Sequence, residues 1–243
     1  MIQSALAAGA TLVAVAFTMS TFDRWLARRR RHELAWAVAL VLFAAGAFSL
    51  WLGASSGWTL PVFRAFYLFG AVVNVPVLAV GTVYLLAGRR VGNGAALGVA
   101  LFAAFAAGVI ASSPARPIID IHRLPQGSQV FDVLPRVLAA VASGGGALVV
   151  LGGAVWSAWR RRRGQLLWAN VVIAAGTLLL GASGLLNSVL GEMEAFAVTL
   201  AVGVTVLYAG FLLAVTPPRR RPSPAAPAAA PSRPDLVESR PRS

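Results

Sequence analysis

The chain has 243 residues, is 58% hydrophobic, carries charge on only 12% of its positions and has a mean hydropathy of +0.76. A soluble domain of this length carries about twice that charged fraction, so a water-exposed globule is excluded. All 21 basic residues are arginine, the formal net charge is +13, and the lack of cysteine removes disulfides, thiolate nucleophiles and cysteine metal sites.

Seven stretches contain no Asp, Glu, Arg or Lys: 1–22, 34–63, 65–88, 91–115, 137–159, 164–191 and 195–218. Each meets the length of about 20 apolar residues that a helix needs to cross a hydrocarbon core. The strict apolar–polar alternation of a barrel is absent. The sequence predicts helices over 2–22, 33–54, 62–87, 94–112, 134–159, 165–187 and 193–216. The expected fold is an all-α, seven-transmembrane helix bundle over residues 1–216. The remainder, 217–243, is rich in Pro, Ala, Arg and Ser, and is expected to be a disordered cytoplasmic tail.

The first segment, MIQSALAAGATLVAVAFTMSTF, has no basic residue ahead of its apolar run, and its charges follow it. It reads as an uncleaved anchor with an exported N-terminus rather than a signal peptide. Seventeen arginines fall on alternate connections and the tail: Arg24 and Arg28 to Arg31, Arg89 and Arg90, Arg160 to Arg163, and six beyond residue 218. Four, Arg64, Arg116, Arg123 and Arg136, fall on the other side. The positive-inside rule places the larger set in the cytoplasm, the N-terminus outside and the C-terminus inside. Asp120, Asp132, Glu192 and Glu194 balance the four outer arginines, so the whole +13 lies inside. That charge fits anionic lipid headgroups as partner and not nucleic acid. The expected location is a bacterial cytoplasmic (inner) membrane.

The third predicted helix contains FRAFYLFGAVVNVPVLAVG, residues 63–81. At 3.6 residues per turn, Arg64, Tyr67, Ala71, Asn74, Leu78 and Gly81 share one face. Phe66, Phe69, Val73, Val80 and Val83 share the other, which reads as the lipid side. Asn74 falls near the midplane. Pro76 has no N–H, which frees the carbonyl of Val72 and predicts a helix kink. The fifth helix repeats the pattern with Arg136, Ala139, Ser143, Gly146, Val150, Gly153 and Ser157, and the seventh with Glu192, Ala195, Thr199, Gly203 and Gly210. Gly144 to Gly146 and Gly152-Gly153 of the fifth helix favour close helix packing, the alternative being a flexible or broken helix around a substrate site. The candidate ligand-binding residues are Arg64, Tyr67 and Asn74, with Arg136, Glu192 and Glu194 closing the mouth by charge pairing. Arg64 and Arg136 would hold an anionic group and Asn74 would supply a midplane hydrogen bond.

The outer loop, about 112–135, holds Asp120-Ile121-His122. That pair gives two metal ligands where zinc needs three or four, so no metal site is expected. His32 sits beside Arg31 and Glu33 and reads as an interfacial residue. RRRRHELAWA (28–37) and RRRRGQLLWA (160–169) share seven of ten residues, which fits either a 3+1+3 parallel repeat with helix 4 as linker or the arginine runs and interfacial tryptophan that the positive-inside rule supplies to both.

In texture the full chain resembles the uncharacterised multi-pass, seven-helix membrane proteins of actinobacterial type. The 3+1+3 layout resembles that of the SWEET and PQ-loop transporters, although the Pro125-Gln126 pair falls in a loop here. The seven-helix sensor regions that precede bacterial kinases are similar in outline, but no kinase follows.

With no lysine there is no Schiff base for retinal. Every acid lies at a helix end, a loop or the tail, which argues against a proton relay through the core. No Walker loop, zincin motif or nucleophile elbow is present, so no catalytic residue and no cofactor are assigned. The expected role is a non-enzymatic, small-molecule-binding membrane protein, sensor-like or an accessory subunit, signalling to a protein partner. The alternative is a facilitative small-solute transporter. Its inward polar path would rest on Asn170, Thr177, Thr205 and Tyr208.

Overall fold

The computed structural model describes residues 2–160, 168, 171–173, 175–180 and 193–215. The described residues are helical apart from short connections, with one isolated antiparallel bridge between Ala115 and Phe131. The tail 217–243, Glu192, Asn170 and most of the second repeat copy lie outside them, as does the Glu194 side chain.

Helix α1 spans Ile2–Arg28 and α2 spans Arg31–Ser56. Both are longer than expected, because arginine is a good helix former and the basic run stays helical. Arg29, at φ 52, makes the turn between them, and its N–H donates to the Trp25 carbonyl at 2.7 Å. Along α1, Ala7, Ala10, Ala14, Phe17 and Thr21 are buried at helical spacing. The alanines let α2 and the last helix, α7 (Met193–Val215), come close. Phe43, Ala47 and Val204 meet Ala10 and Ala14, while Leu40, Leu207 and Phe211 surround Phe17.

After Gly57, whose φ of 91 ends α2, Pro61 opens the first turn of α3, Leu60–Phe66. A π-helical segment, Tyr67–Val73, follows, and then α4, Asn74–Ser112. The continuous apolar run Leu60–Ser112 is 53 residues long, far more than one crossing needs. Gly88 breaks it: φ 78 and ψ −172 lie in a region that only glycine occupies readily. The chain folds back there. Tyr84, before the break, stacks over Gly92 and donates its hydroxyl to Asn93 Oδ1 at 2.9 Å, after it. At the far end Arg64 meets the Ser113 carbonyl. The expected separation into helices ending near 87 and starting near 94 is thus made by one residue.

A short helix α5, Gly127–Val130, lies in the connection to α6, Val133–Arg160. That connection is packed rather than loose. The Arg116 N–H donates to the Val130 carbonyl at 2.9 Å and the Trp58 N–H to the Ile121 carbonyl at 2.8 Å. Gln126 and Gln129 cap the turn reciprocally.

Among the described residues, four stretches are long and apolar enough to cross a membrane: Ser4–Arg28, Arg31–Ser56, Leu60–Ser112 and Val133–Ser157. Their outward faces carry large apolar side chains; Leu12 is 71% and Leu148 73% exposed. Such surfaces are costly in water and natural against lipid. Trp156 and Trp159 are exposed on α6 beside Arg160, where interfacial tryptophans belong.

Gly88→Ala is expected to lower stability by about 1–3 kcal/mol, the cost of forcing a Cβ into that backbone region. No atom lies within 4 Å of the added Cβ at either Gly88 or Gly98. Gly98→Ala, at a regular helical position, should instead raise stability by about 0.5–1 kcal/mol. Thermal unfolding of both variants in detergent checks the pair.

Candidate functional site

The end of the bundle that holds Arg64 is organised by aromatic packing. Phe63 stacks on Phe131 at 5.6 Å between ring centroids and meets Trp58 at 6.1 Å and Tyr67 at 5.8 Å. Tyr67 meets Phe131 edge-on at 5.1 Å. Trp58, Phe63 and Phe131 are each 1% exposed. Gly53 and Gly127 make room for this cluster, since a Cβ would fall 2.5 Å from the Trp58 ring and 2.8 Å from the Tyr67 ring. The cluster seats the 113–132 connection on the helix ends like a plug.

Arg64 stands half-buried beside it and donates Nη2–H to the Ser113 carbonyl at 2.8 Å, at the carboxyl end of α4. A guanidinium there meets the negative end of the helix dipole. Its Nε is buried with no hydrogen-bond partner among the described residues, and so is the Trp58 indole nitrogen. This end therefore holds two buried donors without acceptors among the described residues. Arg136 is exposed and no described residue pairs with it. Tyr67 is buried, with Arg136 near enough to act on it electrostatically. The two ion pairs of this end lie within the loop and are exposed: Arg116–Asp132 at 3.2 Å and Arg123–Asp120 at 3.5 Å. Asp120 also accepts from the His122 backbone N–H at 3.0 Å.

Deeper in the same run lies the π segment. A π turn closes five residues back and an α turn four, so the changeover leaves a carbonyl without an intrahelical donor. Pro76 removes a further donor. The Ser143 hydroxyl of α6 donates to the Ala71 carbonyl. The sequence points to the Val72 carbonyl, one α turn before Pro76 and within the π segment. The irregularity lies upstream of Pro76, which is itself buried in helical backbone. Asn74 is half-buried, and its carboxamide has no hydrogen bond among the described residues.

The π segment also corrects the expected lipid face. Val73 and Val80 are buried, 8% and 6% exposed, and Phe66 packs on Trp58 at 5.6 Å. A wider turn rotates every residue beyond it relative to an ideal α-helix, so a single 3.6-residue phase cannot span 63–83. On α6 the expected stripe meets a neighbouring helix. A Cβ on Gly146 would lie 2.9 Å from the Val75 carbonyl carbon and 3.0 Å from Pro76 N, and one on Gly153 would lie 2.4 Å from Thr82 Cγ2.

At the opposite, arginine-rich end, Glu33 is 5% exposed with Oε2 unpartnered among the described residues. Arg24 attracts it, lays its guanidinium 3.8 Å over the Phe211 ring and donates to Thr21 Oγ1 at 3.4 Å. His32 packs edge-on against Trp36 at 5.3 Å. In the sequence Glu33 stands next to the interfacial His32, at the end of the basic run. Its i, i+4 relation to the buried Ala37 is the signal that places it on the packed face. Of the inward polar residues, Thr177 and Thr205 donate to their own helices, to the Ile173 carbonyl at 2.9 Å and the Ala201 carbonyl at 2.7 Å. Tyr208 stacks on Phe17 at 4.7 Å.

Gly146→Ala pushes against backbone that cannot yield and should cost about 1–3 kcal/mol. Gly144→Ala, with no atom within 4 Å of the added Cβ, should be neutral or stabilising. Detergent melting curves of the two variants separate helix contact from a flexible glycine run. Compared with protein-family models, with curated proteins and with solved structures, the chain matches none.

Proposed function

We propose that this chain is a seven-span, non-enzymatic protein of a bacterial cytoplasmic membrane that binds a small solute at its aromatic end and acts as a sensor-like or accessory subunit. The Gly88 reversal supports counting Leu60–Ser112 as two spans. The 23-residue apolar helix α7, Met193–Val215, supports one more, and the charge-free stretch 164–191 supports the seventh. The arginine distribution supports an external N-terminus and a cytoplasmic tail.

The observation that carries the binding reading is the pair of buried, acceptor-free donors, Arg64 Nε and Trp58 Nε1, around one aromatic cluster. Buried donors in native proteins are almost always satisfied, so an oxygen-rich, anionic solute fits the place. Tyr67 and Arg136 adjoin it, Asn74 offers a hydrogen bond deeper in the span, and Glu192 and Glu194 close the mouth in this reading. The 113–132 connection is the element that would move, because it covers the cluster and ties it to α6. A protein partner in the membrane would read that movement.

A facilitative transporter is the second reading, favoured by the π segment and Pro76 within one span, since broken helices mark transporter sites. Solute uptake by proteoliposomes separates the two: flux of any solute removes the sensor reading.

Arg64→Gln is expected to abolish retention of the solute that co-purifies from native membranes, detected by mass spectrometry of small molecules. The melting temperature of the solute-free protein should fall by no more than a few degrees, since one helix-end hydrogen bond contributes about 1 kcal/mol. A large loss of stability with no change in bound solute would make Arg64 a structural lock.

A further inference from the structure

A second opening lies at the arginine-rich end and is independent of the aromatic site. Its volume is about 530 Å³, within the usual range for ligand pockets. It runs between α2 and the two arms of α4. Leu34 and Val38 form one wall, Val77 and Val80 a second, Ala100 and Ala103 a third. From Arg31 to Val38 the wall descends seven residues, roughly 10 Å. Below Tyr84 it is wholly apolar. Leu34 and Val38 are 36% and 44% exposed, so the groove is open along its side.

The head of the groove has the opposite chemistry. Arg29 and Arg31 line it, and no carboxylate does. The left-handed turn at Arg29 holds its guanidinium over the Trp25 ring at 4.9 Å. Arg31 Nη1 and the Tyr84 hydroxyl both donate to Asn93 Oδ1, at 2.6 and 2.9 Å. Asn93 thus ties α2 to both arms of α4. Arg31 uses one of its five N–H donors in this bond, and the others have no acceptor among the described residues. Two guanidinium forks at the mouth of a 10 Å hydrocarbon slot match a phosphate with an acyl chain attached. Arg28, Arg30, Arg89 and Arg90 are exposed around this end and raise the local concentration of anions.

We infer that this groove is a binding site for one anionic phospholipid, its phosphate held by Arg29 and Arg31 and one acyl chain lying between α2 and α4. The occupant is an amphiphile because neither half of the groove suits a small hydrophilic anion alone.

The test uses the full chain in neutral detergent, with equal phosphatidylglycerol and phosphatidylcholine added and bound lipid counted by native mass spectrometry. Phosphatidylglycerol should be retained about tenfold over phosphatidylcholine, and the Arg29→Gln/Arg31→Gln pair should remove that preference. Arg28→Gln/Arg30→Gln loses the same charge outside the groove and should keep it. Ala100→Leu fills the slot and should lower retention several-fold with both arginines present. Glycerol phosphate in millimolar excess should displace nothing. Equal loss in the two arginine pairs would mean diffuse attraction and overturn the site. So would unchanged retention in Ala100→Leu, and so would displacement by glycerol phosphate, which would mark a free-phosphate site. If the glutamine pair does not fold, Arg29→Lys/Arg31→Lys carries the test. It keeps the charge but loses the fork, and a preference left intact would equally overturn the proposal.

Discussion

In an apolar bundle every backbone N–H and C=O must find its partner within the chain, because no water is at hand to replace it. The run from Leu60 to Ser112 shows how far this requirement shapes the rest. Within it the chain changes from α to π and back, meets a proline, and reverses direction at one glycine. Each event releases backbone groups. The Ser143 hydroxyl comes from another helix to take up the Ala71 carbonyl. For it to arrive, α6 must lie against the π segment almost backbone to backbone. Gly146 permits that approach, since its missing Cβ would otherwise strike the Val75–Pro76 peptide.

The same reasoning extends to the neighbours. On its other side the π segment meets α2, where Gly46 would place a Cβ 3.1 Å from Gly70. The π turn is therefore flanked by two glycine contacts, Gly46 of α2 against Gly70 within it and Gly146 of α6 against Val75 and Pro76 just beyond it. Small residues here are the means by which an irregular helix is enclosed, and close helix contact is the main attraction available where lipid is as apolar as leucine. Around the glycines of α6 that point elsewhere, Gly144, Gly145 and Gly152, an added Cβ meets no atom of another element within 4 Å among the described residues. Their role differs although the sequence presents them as one run.

What was legible in the sequence followed from composition and one-dimensional periodicity. Charge-free length marked the apolar helices, and the polar interruption at 88–93 marked a break within the longest of them. The small-residue stripe on α6 marked a packed face. What was not legible depended on register. Nothing local announces that Tyr67–Val73 adopts π geometry, and a phase computed through it assigns Val73 and Val80 to lipid although both are buried. The packed loop was hidden for another reason. Trp58, Leu124, Val130 and Phe131 are separated by up to 73 positions and converge only once α2, α3 and α6 are assembled. The burial of Glu33 was masked by its basic neighbours, which made a packed residue look like a solvated one.

The two ends of the bundle solve opposite problems with arginine. At the aromatic end a single guanidinium is drawn in, meets a helix end and is left with a buried nitrogen to satisfy. At the other end arginines are numerous and exposed, and flexible side chains gather around an open apolar slot. There the charge is cheap to solvate, and selectivity has to come from shape and from the planar fork. On the proposed readings, a half-buried, under-satisfied arginine favours one small ligand of defined geometry, whereas an exposed pair over a hydrocarbon groove favours an amphiphile. The α4 hairpin, pinned at one end by Arg64 and Ser113 and at the other by Tyr84, Asn93 and Arg31, joins the two. In the proposed two-site reading, the hairpin is the element common to both places, since its ends carry the Arg64–Ser113 contact and its arms line the groove.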